Sequence, residues 1–144
     1  MVEAKTAVET KVERPVPTPS IYVDTAPFWD GARNGKLVLQ YCRDTGKFQH
    51  YPRPVSLYTG SRNLGWREVS GKGVIYACTV IRVMGPGLAG RLPLSLATIE
   101  LDEEVRMLGN ILGADPDGVA IGQRVEVTWD RLADEVPYPA FRLA

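Results

Sequence analysis

The chain has 144 residues, 44% of them hydrophobic, and its 17 basic side chains are balanced by 17 acidic ones. These values are typical of a folded soluble protein of one domain, or of a small knuckle joined to a domain. No stretch approaches the roughly 20 consecutive apolar residues that a membrane span requires, which excludes membrane insertion. The two cysteines cannot form a disulfide framework and no secretory signal is recognisable, so we expect a cytoplasmic protein.

The charge is unevenly distributed along the chain. Residues 31–91 carry ten basic and two acidic side chains, whereas residues 92–144 carry ten acidic and four basic ones. A basic half within a neutral protein favours a small phosphate-bearing ligand or an acidic partner over long nucleic acid, which usually binds a strongly basic domain. Alternatively, interleaved strands mix the two halves in space and leave no charged patch.

The N-terminal segment, residues 1–23, is predicted to be a flexible arm, because its charged, threonine and spaced proline residues bury too little apolar surface to order it. A short helix follows, which Thr25 can cap. Phe28 and Ala32 lie four residues apart, so with Trp29 they form the apolar side that docks on the rest of the protein.

The segment from Cys42 to Gly60 has the outline of a four-thiolate zinc ribbon. KLVLQYC and KFQHY alternate as the two strands of a hairpin around the turn RDTG, and SLYTGS follows as a second knuckle. At the spacing C-x2-C…C-x2-C the four ligand positions fall on Cys42, Thr45, Ser56 and Thr59. Only the first can supply a thiolate, so the pattern predicts the shape of a zinc ribbon without its ligands.

From Val74 onward the sequence alternates as β strands separated by glycine-rich or acidic turns, with four clear strands and a fifth near the C-terminus. Five strands of this length close most economically into a small Greek-key barrel, because an open sheet would leave unpaired edges. The predicted fold is therefore mainly all-β, with a helix and knuckle over residues 24–65 and a barrel domain over residues 66–144.

Several segments together resemble one known family over nearly the whole chain after residue 24. They are PFWDGARNGKLVLQYC, PRPVSLYTGS, WREVSGKGVIYACTVI, LATIELDEEVRMLGNIL, IGQRVEVTW and PAFRL. The chain is similar to the zinc-ribbon plus OB-fold proteins of the domain-of-unknown-function-thirty-five family, which are associated with acyl-CoA enzymes. The resemblance implies a rubredoxin-like knuckle, an OB barrel and a non-catalytic role beside thiolase-like or hydratase-like subunits.

The departure from this family lies at the metal site. Thr45, Ser56 and Thr59 fill three of the four ligand positions and His50 is the only imidazole, so we expect no bound zinc. Structural zinc can contribute about 10–16 kcal/mol to a metal-dependent fold, so its loss must be offset. The candidate replacement is packing by the side chains of Phe48, Tyr51, Leu57 and Tyr58. Hydrogen bonds among the hydroxyls would supplement it, and Cys42 would be a relic.

No catalytic residue is assigned. His50 has no serine or cysteine partner motif, and a packing or surface role explains it better than general-base catalysis. Cys78 lies in the apolar strand VIYACTVI and is expected to be a small core residue and not a nucleophile. The acidic run from Asp102 to Glu104 and the pair Asp115 and Asp117 are expected to form turns.

One set of residues around the knuckle could bind a ligand or partner, because it combines cations with aromatic rings. The set comprises Arg53, Arg62, Arg67, Lys72, Tyr41, Phe48, Tyr51 and Tyr58. Coenzyme A offers an adenine to stack and phosphates to pair, so this composition suits a CoA thioester that is shared with a partner subunit and not held tightly by this chain alone. Single-stranded nucleic acid would use the same residue types.

The leading hypothesis is a non-catalytic accessory subunit of a thiolase-like or hydratase-like enzyme, in a hetero-oligomer, that supports acyl-CoA binding or channelling. The expected reaction is thiolysis or carbon–carbon bond formation on a β-oxoacyl-CoA such as a benzylsuccinyl-type substrate. The alternatives are a single-stranded nucleic-acid-binding module and a stand-alone acyl-CoA enzyme. We expect neither nucleic acid nor a membrane as partner, and no set of nucleophile, base and oxyanion donors can be assembled.

Overall fold

The structure, a computed structural model, describes residues 19–85, 89–131 and 136–144. A 3-10 turn at Val23–Thr25 leads into one helix, α1, at Ala26–Arg33. The strands are β1 Val38–Cys42, β2 Phe48–Gln49, β3 Leu64–Glu68, β4 Lys72–Ile81, β5 Leu94–Leu101, β6 Arg106–Ile111, β7 Arg124–Arg131 and β8 Pro137–Leu143. Residues 1–18 of the predicted arm lie outside the described residues. No described helix is long and apolar enough to cross a membrane.

Helix α1 lies where the sequence predicts it, but its first turn is capped differently. Thr25 occupies the N-cap position without bonding the helix; its hydroxyl instead accepts from Tyr22 N at 3.0 Å and donates to Tyr22 O at 3.1 Å. The predicted apolar side is confirmed, since Phe28 and Ala32 are buried and the Trp29 ring lies 5.1 Å from that of Phe28. This side fixes the helix against the strands that follow.

Strands β1, β2 and β3 form a small sheet in the order β2-β1-β3, which we call the ribbon sheet. The predicted hairpin is present, but its returning strand contains only Phe48 and Gln49. The third strand was not predicted, although it pairs antiparallel with the whole of β1, from Val38 opposite Glu68 to Cys42 opposite Leu64. Its sequence, LGWRE, has no apolar alternation that would reveal it.

The other five strands close into the predicted barrel, in the order β4-β5-β6-β8-β7. Neighbouring strands are antiparallel except for β6 and β8, which are parallel. Inward-facing positions alternate along β5, where Ile99 and Leu101 are buried with Ile75 and Phe141 from other strands. Gly109 lies beneath Phe141, and a Cβ on it would be 2.5 Å from the ring. The close packing of Phe141 on β6 therefore requires glycine at residue 109.

The barrel closes between β4 and β7 at one end of β4 only, and this corrects the expectation that Cys78 is a core residue. Cys78 is exposed and not a core residue. Strand β4 pairs with β5 as far as Ile81 but with β7 only at Lys72–Val74. Beyond Ile75, no described strand pairs with the edge of β4 that faces away from β5. The apolar sequence of β4 therefore correctly predicts a strand, but this part of the strand is not buried.

The two predicted acidic turns are confirmed. Asp102 and Glu104 lie in the turn between β5 and β6, where Glu104 has φ 61°. Asp115 caps a 3-10 turn by accepting from Asp117 N at 3.0 Å. Both sites therefore have a structural explanation that requires no bound cation.

Candidate functional site

The four predicted ligand positions of the zinc ribbon lie around one point. The Sγ atom of Cys42 is 4.0 Å from Thr59 Oγ1, and the hydroxyls of Ser56 and Thr45 hydrogen-bond to the same thiol. The bond from Ser56 lowers the pKa of the Cys42 thiol to about 7. Thiolates 2.3 Å from a tetrahedral zinc would lie about 3.8 Å from one another. The three hydroxyls therefore lie near the Cys42 sulfur, as the neighbouring ligands of a zinc ion would.

Two similar loops bring these positions together. Gly46 N donates to Cys42 O at 2.7 Å in the first loop, and Gly60 N donates to Ser56 O at 2.9 Å in the second. The glycines have φ values of +73° and +72°, a conformation that L side chains rarely adopt. The hydroxyl of Ser56 accepts from Thr59 N at 3.3 Å, which ties the second loop together.

Asp44 joins the two loops by direct hydrogen bonds. Its Oδ2 accepts from Ser61 Oγ at 2.6 Å and from Thr59 Oγ1 at 3.2 Å, and its Oδ1 accepts from Asn63 Nδ2 at 2.7 Å. The bond from Ser61 is the largest cause of a lowered pKa for the Asp44 carboxyl. A carboxylate therefore links segments that a metal ion links in zinc ribbons.

The residues present do not fit a structural zinc ion. One thiol and three hydroxyls occupy the ligand positions, and neutral hydroxyls are not among the usual ligands of structural zinc. The hydroxyls of Thr45 and Ser56 already accept backbone N–H groups, from Lys47 at 3.2 Å and Tyr58 at 3.1 Å. Within the described ranges, no group of three or more His, Cys, Asp or Glu residues could hold a metal.

Aromatic and leucine packing does not replace the metal as expected. Tyr51, Leu57 and Tyr58 are 58%, 52% and 45% exposed, so they cannot form a core under the knuckle. Phe48 is half-buried and contacts Tyr41, with ring centroids 5.9 Å apart. The expectation failed because these side chains lie on the outer surface of the loop, where the sequence pattern does not distinguish inside from outside.

The interior under the second loop is formed by two glutamines that the sequence analysis missed. Gln40 and Gln49 face each other in the hairpin and are 5% and 1% exposed. Gln40 bonds the backbone N and O of Arg53, both at 2.9 Å. Gln49 accepts from Leu57 N at 2.9 Å and donates to Val55 O at 3.2 Å. The signal that could have revealed them is that both glutamines occupy inward positions in predicted strands, where a buried polar side chain needs hydrogen-bond partners.

A surface that we call the Tyr41 platform consists of Tyr41, Arg43, Phe48, Gly65 and Arg67. The Tyr41 ring lies against Gly65, where a Cβ would be 2.8 Å from Tyr41 Cε1 and 2.7 Å from Arg43 Nε. The Arg67 guanidinium carbon is 4.3 Å from the centre of the same ring. Glycine at residue 65 therefore leaves room for both the Tyr41 ring and the Arg43 side chain against this strand.

The predicted binding set is only partly gathered at this platform. Tyr58 adjoins it, because its hydroxyl donates to Phe48 O at 2.6 Å. The backbone of Arg53 lies on the opposite face, since it is bound by the side chain of Gln40, which points away from that of Tyr41. Tyr51 lies elsewhere, with its ring 4.4 Å from His50.

Two more members of the predicted set lie outside the platform, and one residue of the platform was missed. Lys72 is close enough to Asp102 to act on its pKa, although the bond from Arg124 is the main reason that this pKa is lowered. Arg62 is exposed in the segment before β3. Arg43 was not among the predicted binding residues, although it follows Cys42 directly.

Unpaired positive charge collects on the ribbon sheet and its loops. Ion pairs neutralise most barrel arginines, namely Arg82 with Asp117, Arg91 with Asp130, Arg106 with Glu100, Arg124 with Asp102 and Arg142 with Glu126. Among the described residues, no ion pair involves the following side chains: Arg43, Lys47, Arg53, Arg62 and Arg67. Ion pairing between the two charged halves is therefore seen in the barrel, whereas these five cations of the ribbon and its loops have none among the described residues.

A separate apolar pocket of about 250 Å³ lies between α1, the loop after β2 and the barrel. Phe28, His50, Tyr51 and Leu108 are among its lining residues. The Nδ1 atom of His50 is buried without a hydrogen-bond partner, and burial lowers the pKa of His50 to about 4. The expected packing role is supported by the Phe28 ring, 5.8 Å away.

Two family models match the chain. Residues 29–55 match the ChsH2 rubredoxin-like zinc ribbon domain, and residues 66–130 match the ChsH2 C-terminal OB-fold domain. A solved chain described as Ltp2-ChsH2(DUF35) aldolase is 31% identical and superposes with a TM-score of 0.79, over 88% of this chain and 98% of that one.

Two curated proteins show the same similarity in sequence. The 3-oxo-4,17-pregnadiene-20-carboxyl-CoA hydratase alpha subunit of Mycobacterium tuberculosis is 39% identical over 77% of this chain. A DUF35 domain-containing scaffold protein of Methanothermobacter thermautotrophicus is 33% identical over 69% of this chain. The matched region spans 35% of the hydratase subunit and 63% of the scaffold protein.

Proposed function

This chain belongs to the ChsH2-like DUF35 family of zinc-ribbon and OB-fold proteins, and on that premise we propose that it is a non-catalytic accessory subunit of an acyl-CoA enzyme. The observation that carries the proposal is the match over 98% of the DUF35 chain of an aldolase whose description also names Ltp2. This chain is thus similar, over almost the whole matched chain, to one part of an enzyme whose description names two parts, Ltp2 and ChsH2(DUF35).

The side chains of this chain support a binding role over a chemical one. A general base must reach the proton that it removes from the substrate, and a hydrogen-bonded group usually orients it. The His50 Nδ1 atom is buried and has no hydrogen-bond partner. The exposed Cys78 thiol has one weak contact, to Val119 O at 3.9 Å. Within the described residues, neither group has a hydrogen-bonded acid or base that would activate it.

The partner that we propose is a thiolase-like or hydratase-like subunit, which would carry out thiolysis, carbon–carbon bond formation or hydration on an acyl-CoA. A β-oxoacyl-CoA, such as a benzylsuccinyl-type thioester, is the substrate that the sequence analysis favours. In this arrangement the chain stabilises the complex and helps to form the acyl-CoA channel. CoA would be a ligand shared between the two subunits.

A nucleic-acid-binding role has less support. Single-stranded nucleic acid binds along a positively charged groove with aromatic rings for stacking. The barrel offers little free positive charge, because most of its arginines are ion-paired and Glu103 and Glu104 add negative charge in the turn between β5 and β6. An oligonucleotide would therefore find its phosphates opposed by carboxylates at this end of the barrel.

Co-expression tests the proposed role. The chain is expressed with each thiolase-like and hydratase-like subunit encoded near it, and the products are separated by size-exclusion chromatography. The proposal predicts a hetero-oligomer with one of them, and a subunit whose solubility or activity depends on the chain. Enzyme subunits that are fully soluble and active without the chain would contradict it.

A further inference from the structure

We propose that the Tyr41 platform is the docking site for an acidic segment of the partner enzyme subunit. The inference rests on the proposed function, because it assigns the segment to that subunit. It deepens the proposed function by naming the surface of this chain that the partner recognises and the charge that the partner must present.

The platform holds two guanidinium groups ready for an anion. Arg67 stacks on Tyr41, and a stacked guanidinium keeps its N–H edge free to bind a carboxylate. Arg43 lies beside the same ring, against Gly65. Two cations on one ring repel each other, and a carboxylate between them would remove that repulsion.

The nearby acidic side chains of the ribbon are engaged elsewhere. Asp44 follows Arg43 in sequence, but its oxygens accept from Ser61 at 2.6 Å and Asn63 at 2.7 Å. Glu68 follows Arg67, but it pairs with Lys36 at 3.9 Å. The carboxylate that the platform fits is therefore not provided by either neighbour in the chain.

The surroundings of the platform favour a protein segment over a nucleotide. Phe48 belongs both to the platform and to an adjoining pocket of about 330 Å³, which Lys47, Glu103 and Glu104 also line. Glu103 Oε2 is buried there without a hydrogen-bond partner. Two carboxylates would repel clustered phosphates, whereas a protein segment can place acidic residues at the platform and neutral or basic ones over the pocket.

Peptide titration of the full chain, labelled with ¹⁵N, tests the site. The probe is a short peptide with glutamates at one end and serines at the other, and the readout is the amide shifts of residues 41–48 and 64–68. We expect a saturable shift that weakens with salt. Arg43→Glu combined with Arg67→Glu should weaken binding at least about tenfold, which corresponds to 1.4 kcal/mol. Arg67→Glu alone, at an exposed position, serves if the double variant does not fold.

The matched control is Arg53→Glu, which makes the same charge change on the opposite face of the ribbon sheet. It should change the affinity less than about twofold, since only general electrostatics then acts. Equal weakening by Arg53→Glu, or no saturable shift in the wild type, would overturn the docking site. Tighter binding of CoA or inorganic phosphate at the same amides would replace it with a small-anion site.

Copurification separates this proposal from the proposed function. An enzyme subunit that assembles with the wild type and not with the Arg67→Glu variant supports the docking site. A subunit that assembles equally with both overturns the docking site and leaves the accessory role intact. Failure of every candidate subunit to assemble with the wild type contradicts the accessory role, and the peptide titration still decides whether the platform binds an acidic segment.

Discussion

Gln49 Nε2 donates to Gln40 Oε1 at 2.6 Å, and this buried bond joins the two strands of the hairpin, β1 and β2. Each amide also bonds the backbone of the loop that carries Ser56, Gln40 at Arg53 and Gln49 at Leu57. The two glutamines thus hold the second half of the knuckle against the first. Together with the Asp44 bonds, they connect the parts that a zinc ion connects in the resembled family.

The first prediction concerns this glutamine pair. Gln49→Leu has a similar volume but removes the partners of Leu57 N–H and Val55 O, whereas Gln40 Oε1 keeps its bond from Arg53 N. Each unsatisfied buried group costs about 1–3 kcal/mol, so we expect the free energy of unfolding in urea to fall by about 3 kcal/mol. Gln123→Leu is the control, since its amide bonds to Ala120 and Gly118 are exposed. Similar losses for both variants would contradict the assigned role.

The second prediction concerns the metal. The variant Thr45→Cys/Ser56→Cys/Thr59→Cys places thiols at positions already arranged around Cys42, so it should bind one zinc ion per chain. Metal analysis by mass spectrometry should find zinc in this variant and none in the wild type. A chelator should lower the melting temperature of the variant only. Stoichiometric zinc in the wild-type protein would contradict the hydrogen-bonded knuckle.

The third prediction concerns pH and His50. Burial lowers its pKa to about 4, whereas an unfolded histidine titrates near 6.5. Between these values the unfolded chain binds the extra proton, so stability is full above about pH 6.5 and falls as the pH drops towards 4. We expect this group to cost about 2 kcal/mol at pH 5 relative to pH 7.

His50→Phe isolates this contribution. It removes a buried nitrogen without a partner, and the stability lost between pH 7 and pH 5 should be smaller in the variant by the same amount. Because His50 is the only histidine, its imidazole proton resonance gives the pKa directly. A measured pKa near 6.5 would mean that the ring is not buried in the native state.

The fourth prediction concerns the barrel core. Gly109→Ala places a Cβ 2.5 Å from the ring of the fully buried Phe141, so the ring or the strand must shift. Overpacking of this kind costs about 1–3 kcal/mol, which chemical denaturation would measure. Gly118→Ala has nothing within 4 Å of its new Cβ and should be nearly neutral. A neutral Gly109→Ala would show that β6 does not pack this closely on Phe141.

The sequence predicted the parts of the fold that depend on local patterns. Alternation revealed the barrel strands, and the spacing of Cys42, Thr45, Ser56 and Thr59 revealed the knuckle. It missed β3, because this strand contains a glycine and charged residues in place of an alternating apolar pattern. Gly65 and Arg67 pack against Tyr41, and this packing exists only once β1 and β3 are paired. It misplaced Cys78, because the enclosure of a strand depends on its neighbours across the sheet.

The candidate site was predictable in composition but not in arrangement. Arg67 and Tyr41 were both identified, yet their stacking requires strands far apart in sequence to be paired. Arg53 belongs to the same predicted set, although its backbone is held by Gln40 on the opposite face of β1. The pairing register of β3 with β1 decides which side chains share a face of the sheet. Because β3 was not predicted, that register could not be derived from the sequence.

The most direct test of the account is an assay of acyl-CoA turnover by three samples: this chain alone, the enzyme subunit that copurifies with it, and the two combined. The account predicts no turnover by the chain alone and greater activity or stability of the enzyme subunit in the combined sample. Turnover of an acyl-CoA by the isolated chain, at a rate comparable to that of the complex, would contradict it.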